Sequence, residues 1–486
     1  MPSPLSTLRK ALWHFRHGGV EQVRLWWSRT ETRRSRPSSA TTSSSAAGAA
    51  PAPTVRNSDL ARDGFPFPEV RESPEYEPVP RHVLYFLHNA LPYHSGGYAT
   101  RTHGLLTELN RMGWDVDGVT RLGYPYDMPK MADVPDLPAR ETVGDVDYHH
   151  LLTGRQIEKK NPMFGYTDRY VDALLPLARA EQPAILHGAS NHWNGLAAVK
   201  AGNILGIPSV YEVRGLWEVT RASRDPEWGR SDQYRYLARM EADTARAATR
   251  VIAITEALKA ELVERGVAAE KITVVPNGVD TARFTPLPRD EELAARLGVI
   301  GRTVIGYVGT VVDYEGLDLL LETAASLRAR RDDFHVLIIG DGAKLEELQA
   351  SAAAQGLDDV VTFTGRVPHE EVERYYSIID ITPFPRLPLP VTEMVSPLKP
   401  FEAMAMGKAV VAADVAALAE IVTPGMNGLL HEKGSAASLT AQIERLLDEP
   451  ELRAALGARS RDWVVAERDW RLLAERVATV YEEALV

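Results

Sequence analysis

The chain has 486 residues, 44% of them hydrophobic and 25% charged, with a formal net charge of −11, which suits two globular domains with apolar cores. It has no cysteine, and this excludes disulfides and thiolate metal sites. No apolar run approaches the roughly 20 residues that span a bilayer. The N-terminus also lacks the apolar core of a signal peptide, so we expect a cytoplasmic protein.

The N-terminal segment differs from the rest in charge. Residues 1–36 hold eight Lys or Arg against two Glu, a net charge of +6 that leaves −17 for the remainder. An acidic body argues against nucleic acid as a partner. Apolar residues recur in this segment at helical spacing, at Leu5, Leu8, Leu12 and Phe15. Two interpretations stay open: a helix that packs on the protein or on a second copy, or a peripheral anchor on the anionic inner membrane face.

A low-complexity segment follows. Residues 37–57 are rich in Ser, Ala and Pro, and residues 64–80 are interrupted by prolines. Such compositions bury too little apolar surface to fold, so residues 37–80 are predicted to form a disordered linker.

Order is predicted to begin at Arg81, in an N-terminal domain over residues 81–283. HVLYFLH reads as a buried strand, and a loop with Gly96 and Gly97, a helix ended by Gly113 and the strand DVDGVT follow. This strand, glycine loop, helix and strand unit is typical of a doubly wound sheet. The two glycines therefore lie at the carboxyl end of the first strand, where open α/β sheets bind ligands, although plain turns also use such pairs.

The same alternation starts afresh in a C-terminal domain, predicted over residues 284–465. Strands are predicted in TVIGYVGT, HVLIIGDG, VTFTG, IDITPFP and AVVAA, with a helix between each pair. An amphipathic helix over residues 466–486 is free to pack on either domain, including back on the N-terminal one. Gly340-Asp-Gly342 lacks the rest of a dinucleotide fingerprint, so NAD is not expected.

The richest stretch is VTEMVSPLKPFEAMAMGKAVVAA. Pro397 and Pro400 predict an extended lead-in, and a helix is predicted from about Phe401. The free N–H groups of that helix start, with Ser396 and Lys399 just ahead, suit an anion such as a diphosphate. Glu402 could accept hydroxyl groups of a ribose.

Several strings resemble glycosyltransferase family 4 over residues 81–486. They are GGYATR, VYEVRGLWE, VVPNGVD, YVGTVVDYEGLDLLLE, TFTGRVP and VSPLKPFEAMAMGKAVV. The resemblance implies the GT-B fold, an α/β architecture of two Rossmann-like doubly wound domains that face a central cleft. It also implies hexosyl transfer from a nucleotide sugar with retention of configuration, without metal or cofactor.

The resemblance places Glu402 at the second glutamate of the family's E-x7-E motif, which holds the donor ribose. Met394 stands where the first glutamate is expected, and Glu393 is one position earlier. A one-residue shift would reverse a side chain in a strand, but an irregular lead-in could still bring Glu393 to the donor sugar.

The chain also departs from the family at its diphosphate clamp. Many members place an arginine and a lysine after the first strand of the C-terminal domain, where Thr310 and Glu315 stand here. The charge of the leaving diphosphate still requires cations and amides. Lys399 is the first candidate, and Arg366 and Arg386 are alternatives.

The site is thus predicted residue by residue. Donor contacts are assigned to Gly96, Gly97, Thr310, Arg366, Val367, Ser396, Pro397, Leu398, Lys399 and Glu402. Catalytic roles are assigned to Glu393, Lys399 and His192, and acceptor contacts to Arg101, Arg214 and Glu218. For His192 a structural role is the alternative, because the family's histidine aligns with Ala189. For Arg214 and Glu218 the alternative is an internal ion pair, and Arg101 could instead reach a phosphate.

The sequence therefore predicts a retaining, metal-independent glycosyltransferase of polysaccharide biosynthesis. Its expected partners are a nucleotide sugar and a glycan or lipid-linked acceptor. DVD patterns at Asp115/Asp117 and Asp145/Asp147 are read as strand alternation rather than metal sites. A nucleotide-sugar epimerase of the same architecture and a non-catalytic scaffold remain as alternatives.

Overall fold

A computed structural model describes residues 55–71, 76–128, 136–154 and 158–486. The predictions for residues 1–36 and for the linker up to residue 54 lie outside the described residues. Residues 55–71, predicted within the disordered linker, instead include helix α1 (Asn57–Asp63). Leu60 and Phe65 are buried in the core, and the Phe65 N–H donates to the Asp243 carboxylate at 2.9 Å. Two apolar anchors and this hydrogen bond order a segment that composition alone assigned to a tether.

The N-terminal domain is built on an eight-stranded sheet. Its strands are β1 (Val79–Leu87), β2 (Asp115–Thr120), β3 (Arg140–Val143), β4 (Val146–His150), β5 (Pro183–Ala189), β6 (Ser209–Val213), β7 (Arg250–Ala253) and β8 (Ile272–Val274). The strand order is β3-β4-β2-β1-β5-β6-β7-β8, and only the β3–β4 pair is antiparallel among the described strands. The central strands β5 and β6 are buried throughout because helices cover both faces of a parallel sheet.

The helices of this domain are α2 (Gly97–Arg111), α3 (Met163–Glu181), α4 (His192–Leu205), α5 (Trp217–Arg224), α6 (Asp232–Ala247) and α7 (Glu256–Glu264). The strand order reverses around β1, which has β2 on one side and β5 on the other. The loop that carries Gly96 and Gly97 leaves β1 at this point. Ligands bind at such a switch point in open α/β sheets.

The C-terminal domain repeats the plan with six parallel strands. These are β9 (Thr303–Val308), β10 (Phe334–Ile339), β11 (Val361–Gly365), β12 (Ile381–Phe384), β13 (Ala409–Ala413) and β14 (Leu429–His431), in the order β11-β10-β9-β12-β13-β14. The helices are α8 (Glu291–Arg296), α9 (Leu317–Arg328), α10 (Leu345–Ala354), α11 (Val372–Ser377), α12 (Pro390–Met394), α13 (Lys399–Ala405), α14 (Ala416–Ala419), α15 (Ala436–Asp448) and α16 (Pro450–Glu467). The switch point lies between β9 and β12, so the segments after these two strands meet at the cleft.

The final helix, α17 (Trp470–Ala484), packs against α2 of the N-terminal domain. Gly104 allows the close approach, because a Cβ there would lie 2.7 Å from the Trp470 ring. At the far end of α17 the Tyr481 hydroxyl lies 2.8 Å from His187 Nδ1. The chain therefore crosses between the domains a second time before α17, which ties the two halves together. The predicted pair of doubly wound α/β domains that face a cleft is confirmed.

Candidate active site between the two domains

Two cavities lie in the cleft, and Leu398 lines both. Residues 275–290, between β8 and α8, join the two domains and are called the crossing segment. The larger cavity, of about 460 Å³, is bounded by α2, by the crossing segment around Arg283 and by His369 and Glu402. The smaller, of about 290 Å³, is bounded by Gly97 and by aromatic side chains. A Cβ on Gly97 would lie 3.6 Å from Leu398 Cδ1, so the start of α2 and the lead-in of α13 face each other directly. The two cavities are thus neighbouring compartments of one cleft.

Glu402 lies in the first turn of α13 and lines the larger cavity. Burial raises its pKa to about 7, although Arg283 and Lys399 oppose this shift. A carboxyl group at a helix start normally has a low pKa, because the helix dipole favours its charge. The raised pKa shows that burial disfavours the charged form of Glu402 more than the nearby cations favour it. A carboxyl group of this kind in a cavity is a candidate ligand-binding group.

Lys399 begins α13 and runs beneath the loop after β9. Its ammonium donates to the Tyr307 hydroxyl at 2.7 Å and lies 3.0 Å from Glu315 Oε1. Gly309, with φ of 148°, makes room for this side chain, because a Cβ there would lie 2.2 Å from Lys399 Cε. Lys399 is therefore fixed at the C-terminal switch point, next to the helix start where the sequence predicts a diphosphate.

Arg386 follows β12 and lines the smaller cavity. It is buried, and it donates to the Val395 carbonyl at 2.6 Å and lies 3.4 Å from Glu315 Oε1. Among the described residues its Nε–H has no hydrogen-bond partner, and neither has Glu315 Oε2. Two cations thus share one buried carboxylate, which leaves one net positive charge beside the cleft.

The remaining donor residues lie around these groups. Gly96 caps α2, and Thr310 is exposed and accepts the Tyr307 hydroxyl at its carbonyl. Arg366 is exposed on the loop after β11, and Val367 packs on the C-terminal core. Two further lead-in residues, Ser396 and Pro397, line the smaller cavity. Five of the predicted donor residues line the two cavities, from both sides of the cleft: Gly97, Ser396, Pro397, Leu398 and Glu402. The other five line neither cavity: Gly96, Thr310, Arg366, Val367 and Lys399.

Ser396 also connects the domains. Its carbonyl and hydroxyl accept from Asn277 Nδ2 at 2.8 and 3.3 Å. Since Asn277 lies on the segment that crosses between the domains, these bonds fix the lead-in of α13 relative to the N-terminal half.

Two of the predicted acceptor residues, Arg101 and Arg214, instead form a buried network around Glu212. Arg101 donates four hydrogen bonds, to Glu212, to the carbonyls of residues 275 and 276 and to the Asn277 side chain, and its Nη2 also lies 2.7 Å from Glu212 Oε1. Arg214 donates five hydrogen bonds, to Glu212, Tyr85, Thr102 and the residue 98 carbonyl. To bind an acceptor, either guanidinium would have to give up one of these hydrogen bonds.

Glu218 and His192 are also engaged inside the protein. Glu218 is buried and pairs with Arg265 at 2.6 Å, the internal ion pair weighed for it above. His192 is buried at the start of α4, where its Nδ1 lies 2.8 Å from Glu241 Oε1. Neither residue is among those that line the two cavities.

Glu393 does not face either cavity. The segment predicted to be extended is the short helix α12, and the Glu393 carboxylate accepts the Ala416 N–H at 2.7 Å. Its other oxygen lies 2.8 Å from Lys433 Nζ. The helical backbone directs the side chain toward the start of α14, away from the donor compartments.

The sequence reasoning missed the aromatic wall of the smaller cavity. Tyr98 and Trp217 come from the N-terminal domain and Tyr314 from the C-terminal domain, and the Trp217 indole donates to the Tyr98 hydroxyl at 3.3 Å. Tyr98 directly follows the glycine pair, so its place at the head of α2 was a usable signal. Aromatic faces beside a polar cleft suit the C–H faces of a sugar ring.

No helix among the described residues is long and apolar enough to cross a membrane. The described residues also contain no group of three or more His, Asp or Glu side chains arranged to hold a metal ion.

The two halves of the chain match two sequence-family models. The model for glycosyl transferases group 1 matches residues 290–463, and that for the glycosyl transferase 4-like domain matches residues 96–278. Together they cover both doubly wound domains.

Individual proteins agree with these matches. A D-inositol 3-phosphate glycosyltransferase of Acidothermus cellulolyticus is 31% identical over 412 residues, which cover 80% of this chain and 86% of that protein. The protein of that name from Arthrobacter sp. (strain FB24) is 32% identical over 275 residues, 55% of this chain, and the match spans only 63% of its length. The structure of sucrose-phosphate synthase from Thermosynechococcus elongatus superposes with a TM-score of 0.67 at 22% identity, covering 83% of this chain and 98% of that one. That likeness shows the shared fold.

Proposed function

The chain belongs to the family 4-like glycosyltransferases of the GT-B fold, and from this premise we propose that it transfers a sugar from a nucleoside-diphosphate donor to a hydroxyl group of an acceptor. The observation that carries the proposal is Glu402, whose carboxyl group lines the larger cavity beside Leu398, opposite the glycine start of α2. A ribose needs such a hydroxyl acceptor next to a site for its diphosphate.

The donor is proposed to span both cavities. The nucleoside occupies the larger one, with its ribose on Glu402, and the diphosphate lies where the two cavities meet, next to Gly97 and Leu398. At that point the backbone N–H groups at the start of α2, a helix of 15 residues, face the phosphates. Lys399 and Arg386 lie on the other side. The sugar then enters the smaller cavity, against its aromatic wall.

We propose that transfer proceeds with retention and without a metal ion. The acceptor oxygen bonds to the anomeric carbon on the face from which the diphosphate leaves, and the acceptor proton passes to a leaving phosphate oxygen. Lys399 and Arg386 stabilise the negative charge that develops there. The described side chains that line the smaller cavity include no carboxylate, so no carboxylate nucleophile is placed there. Anomeric coupling constants of the first product test retention, and unchanged turnover in excess EDTA tests metal independence.

The acceptor is proposed to be a glycan or a lipid-linked sugar of polysaccharide synthesis. Two relatives are named for D-inositol 3-phosphate, a polyhydroxylated anion, which supports a hydroxyl-rich acceptor. Peripheral binding to the inner membrane face through residues 1–36 stays part of the proposal because of their charge of +6. Salt-sensitive binding to anionic vesicles that deletion of residues 1–57 abolishes is the expected result. Binding that survives the deletion would remove the membrane from the proposal.

The experiment is a thermal-shift screen with UDP-glucose, GDP-mannose and ADP-glucose, followed by turnover of the best stabiliser. A ligand of the folded state raises the melting temperature, and Glu402→Ala should abolish that rise. Release of nucleoside diphosphate, slow in water and faster with an acceptor, is expected. An epimerised donor without release would identify an epimerase instead, and binding without turnover would identify a non-catalytic scaffold.

A further inference from the structure

Glu315 is a buried carboxylate at the position where many members of the family carry a lysine. It ends the helical turn Asp313–Glu315 after β9 and is 3% exposed. Its Oε1 lies 3.0 Å from Lys399 Nζ and 3.4 Å from Arg386 Nη2. One carboxylate therefore holds two cations that come from different segments of the C-terminal domain.

Each cation has a second attachment that fixes its direction. The Lys399 ammonium also donates to Tyr307, whose own hydroxyl donates to the Thr310 carbonyl at 2.9 Å. Arg386 also donates to the Val395 carbonyl. With Glu315, these bonds leave both side chains one defined orientation at the C-terminal switch point.

The charges of the group are interdependent. Burial lowers the pKa of Lys399 and Arg386 lowers it further, whereas Glu315 and Glu402 raise it. Although burial disfavours its charge, Lys399 and Arg386 hold the pKa of Glu315 below its ordinary value. If position 315 were neutral, two neighbouring cations would repel each other in a poorly solvated site.

We propose that Glu315 is a positioning residue for the transfer step, which holds Lys399 and Arg386 together as the cations that face the donor diphosphate. The cations that stabilise the diphosphate therefore occupy different positions from those of many family members. Arg386 comes from the segment after β12 and Lys399 from the start of α13, and Glu315 after β9 is the anion that orients them. Within the part of the chain that the structure describes, Arg386 Nε–H and Glu315 Oε2 have no hydrogen-bond partner, so these residues do not saturate the group. This inference rests on the proposed function.

Glu315→Gln tests the inference in the full chain, because it keeps the shape and removes the charge. The readout is release of nucleoside diphosphate from the nucleotide sugar that gave the largest thermal shift in the panel. We expect kcat to fall about 10- to 50-fold, with donor KM changed less than about threefold, because preorganised charge acts mainly on the transition state. The alkaline limb of the pH–rate profile should move to lower pH as Lys399 loses its anion.

Two further variants separate positioning from folding. Glu444→Gln, which breaks an ion pair with Arg330 on the outer surface, is the matched control and should retain full activity. In a Lys399→Met background, Glu315→Gln should lower kcat by a smaller factor than it does in the wild type, because only the part of its effect that passes through Arg386 remains.

The outcomes distinguish the inference from the function beneath it. If the wild-type chain releases no nucleoside diphosphate from any of the three donors, the proposed function fails. If the wild type is active and Glu315→Gln retains its kcat and its alkaline limb, the inference is overturned. Should Glu315→Gln not fold, Glu315→Asp carries the test: a lower kcat with a shifted alkaline limb supports positioning, and a wild-type profile overturns it.

Discussion

The two domains each bury a group of arginine, glutamate and tyrosine side chains at the carboxyl end of their sheet, but the two groups differ in one respect. In the N-terminal group every guanidinium nitrogen of Arg101 and Arg214 donates a hydrogen bond. In the C-terminal group Arg386 Nε and Glu315 Oε2 have none among the described residues. Unsatisfied buried polar atoms are costly, so we expect a ligand or a water molecule to complete these two.

The difference in hydrogen bonding assigns a structural role to the N-terminal group and a functional role to the C-terminal group. The saturated group joins β6 to β1, to α2 and to the crossing segment, and it holds the N-terminal half rigid beneath the glycine loop. The unsaturated group keeps one net positive charge next to the cavities. We therefore expect mutations in the first group to lower stability and mutations in the second to lower turnover.

The largest expected effect comes from the N-terminal group. Glu212→Gln leaves two buried guanidinium groups without their shared carboxylate, whose pKa Arg214 and Arg101 hold well below its usual range against the effect of burial. Breaking a buried pair in this way costs about 3–5 kcal/mol. The free energy of unfolding from urea titration measures it. The control is Glu444→Gln, an exposed pair for which less than about 1 kcal/mol is expected. A loss below 1 kcal/mol at Glu212 would show that the network is not structural.

The next effect belongs to the C-terminal group. Lys399→Met removes the cation at the diphosphate position and keeps the apolar stem that runs beneath Gly309. We expect kcat to fall about 10²- to 10³-fold, the scale for loss of one preorganised group at a developing charge. The melting temperature should change by only a few degrees. Steady-state release of nucleoside diphosphate measures the effect, and an unchanged kcat would transfer the role to Arg386 or Arg366.

Glu402 gives a smaller, pH-dependent effect. Its pKa of about 7 means that the carboxyl group is largely protonated below neutral pH and then accepts ribose hydroxyls poorly. Donor affinity of the wild type should therefore weaken as pH falls from 8 to 6. In Glu402→Gln the affinity should be about tenfold weaker at pH 8 and independent of pH. Calorimetric titration with the best nucleotide sugar itself measures both.

Stability should show the opposite trend at the same residue. Because its folded-state pKa lies above the ordinary 4.5, the native state holds this proton more tightly. The resulting stability is fully present below about pH 4.5 and is lost as pH rises through 7, a change of about 1–3 kcal/mol. Glu402→Gln should flatten this slope. A wild-type slope that the variant retains would place the pKa of Glu402 near its ordinary value.

The architecture could be predicted from the sequence because its signals are local. Apolar strands followed by glycine loops and amphipathic helices identify doubly wound sheets, and the order of these units fixes which loops share an edge. The stretch around Glu402 could be assigned for the same reason: a helix start, a cation and a carboxylate lie within a few residues of one another.

The roles of several charged residues and the order of residues 55–71 could not be predicted, because they depend on contacts between residues far apart in the sequence. Arg101 and Arg214 read as cleft cations, but Glu212 lies between them once β6 joins the sheet, and they are saturated there. Glu315 read as a lost lysine, and only the position of Arg386, 71 residues later, shows that it anchors two cations. Residues 55–71 were predicted to be part of a disordered linker, because composition does not reveal that Leu60 and Phe65 are buried in the core of the N-terminal domain.

The smallest expected effect is at Glu393, where sequence and structure assign different roles. The Glu393 carboxylate accepts the Ala416 N–H at the start of α14 and pairs with Lys433. The side chains of Lys433 and Glu393 are 39% and 29% exposed. Glu393→Gln keeps the first bond and loses a screened ion pair, so stability should change by less than about 1 kcal/mol. Turnover and donor KM should stay within about threefold of the wild type. Glu393→Ala, which also removes the acceptor of the Ala416 N–H, should be the less stable of the two. If Glu393→Gln instead loses kcat 100-fold with an unchanged melting temperature, α12 must rearrange during turnover and bring this carboxylate to the donor sugar, in spite of its one-residue shift from the family spacing.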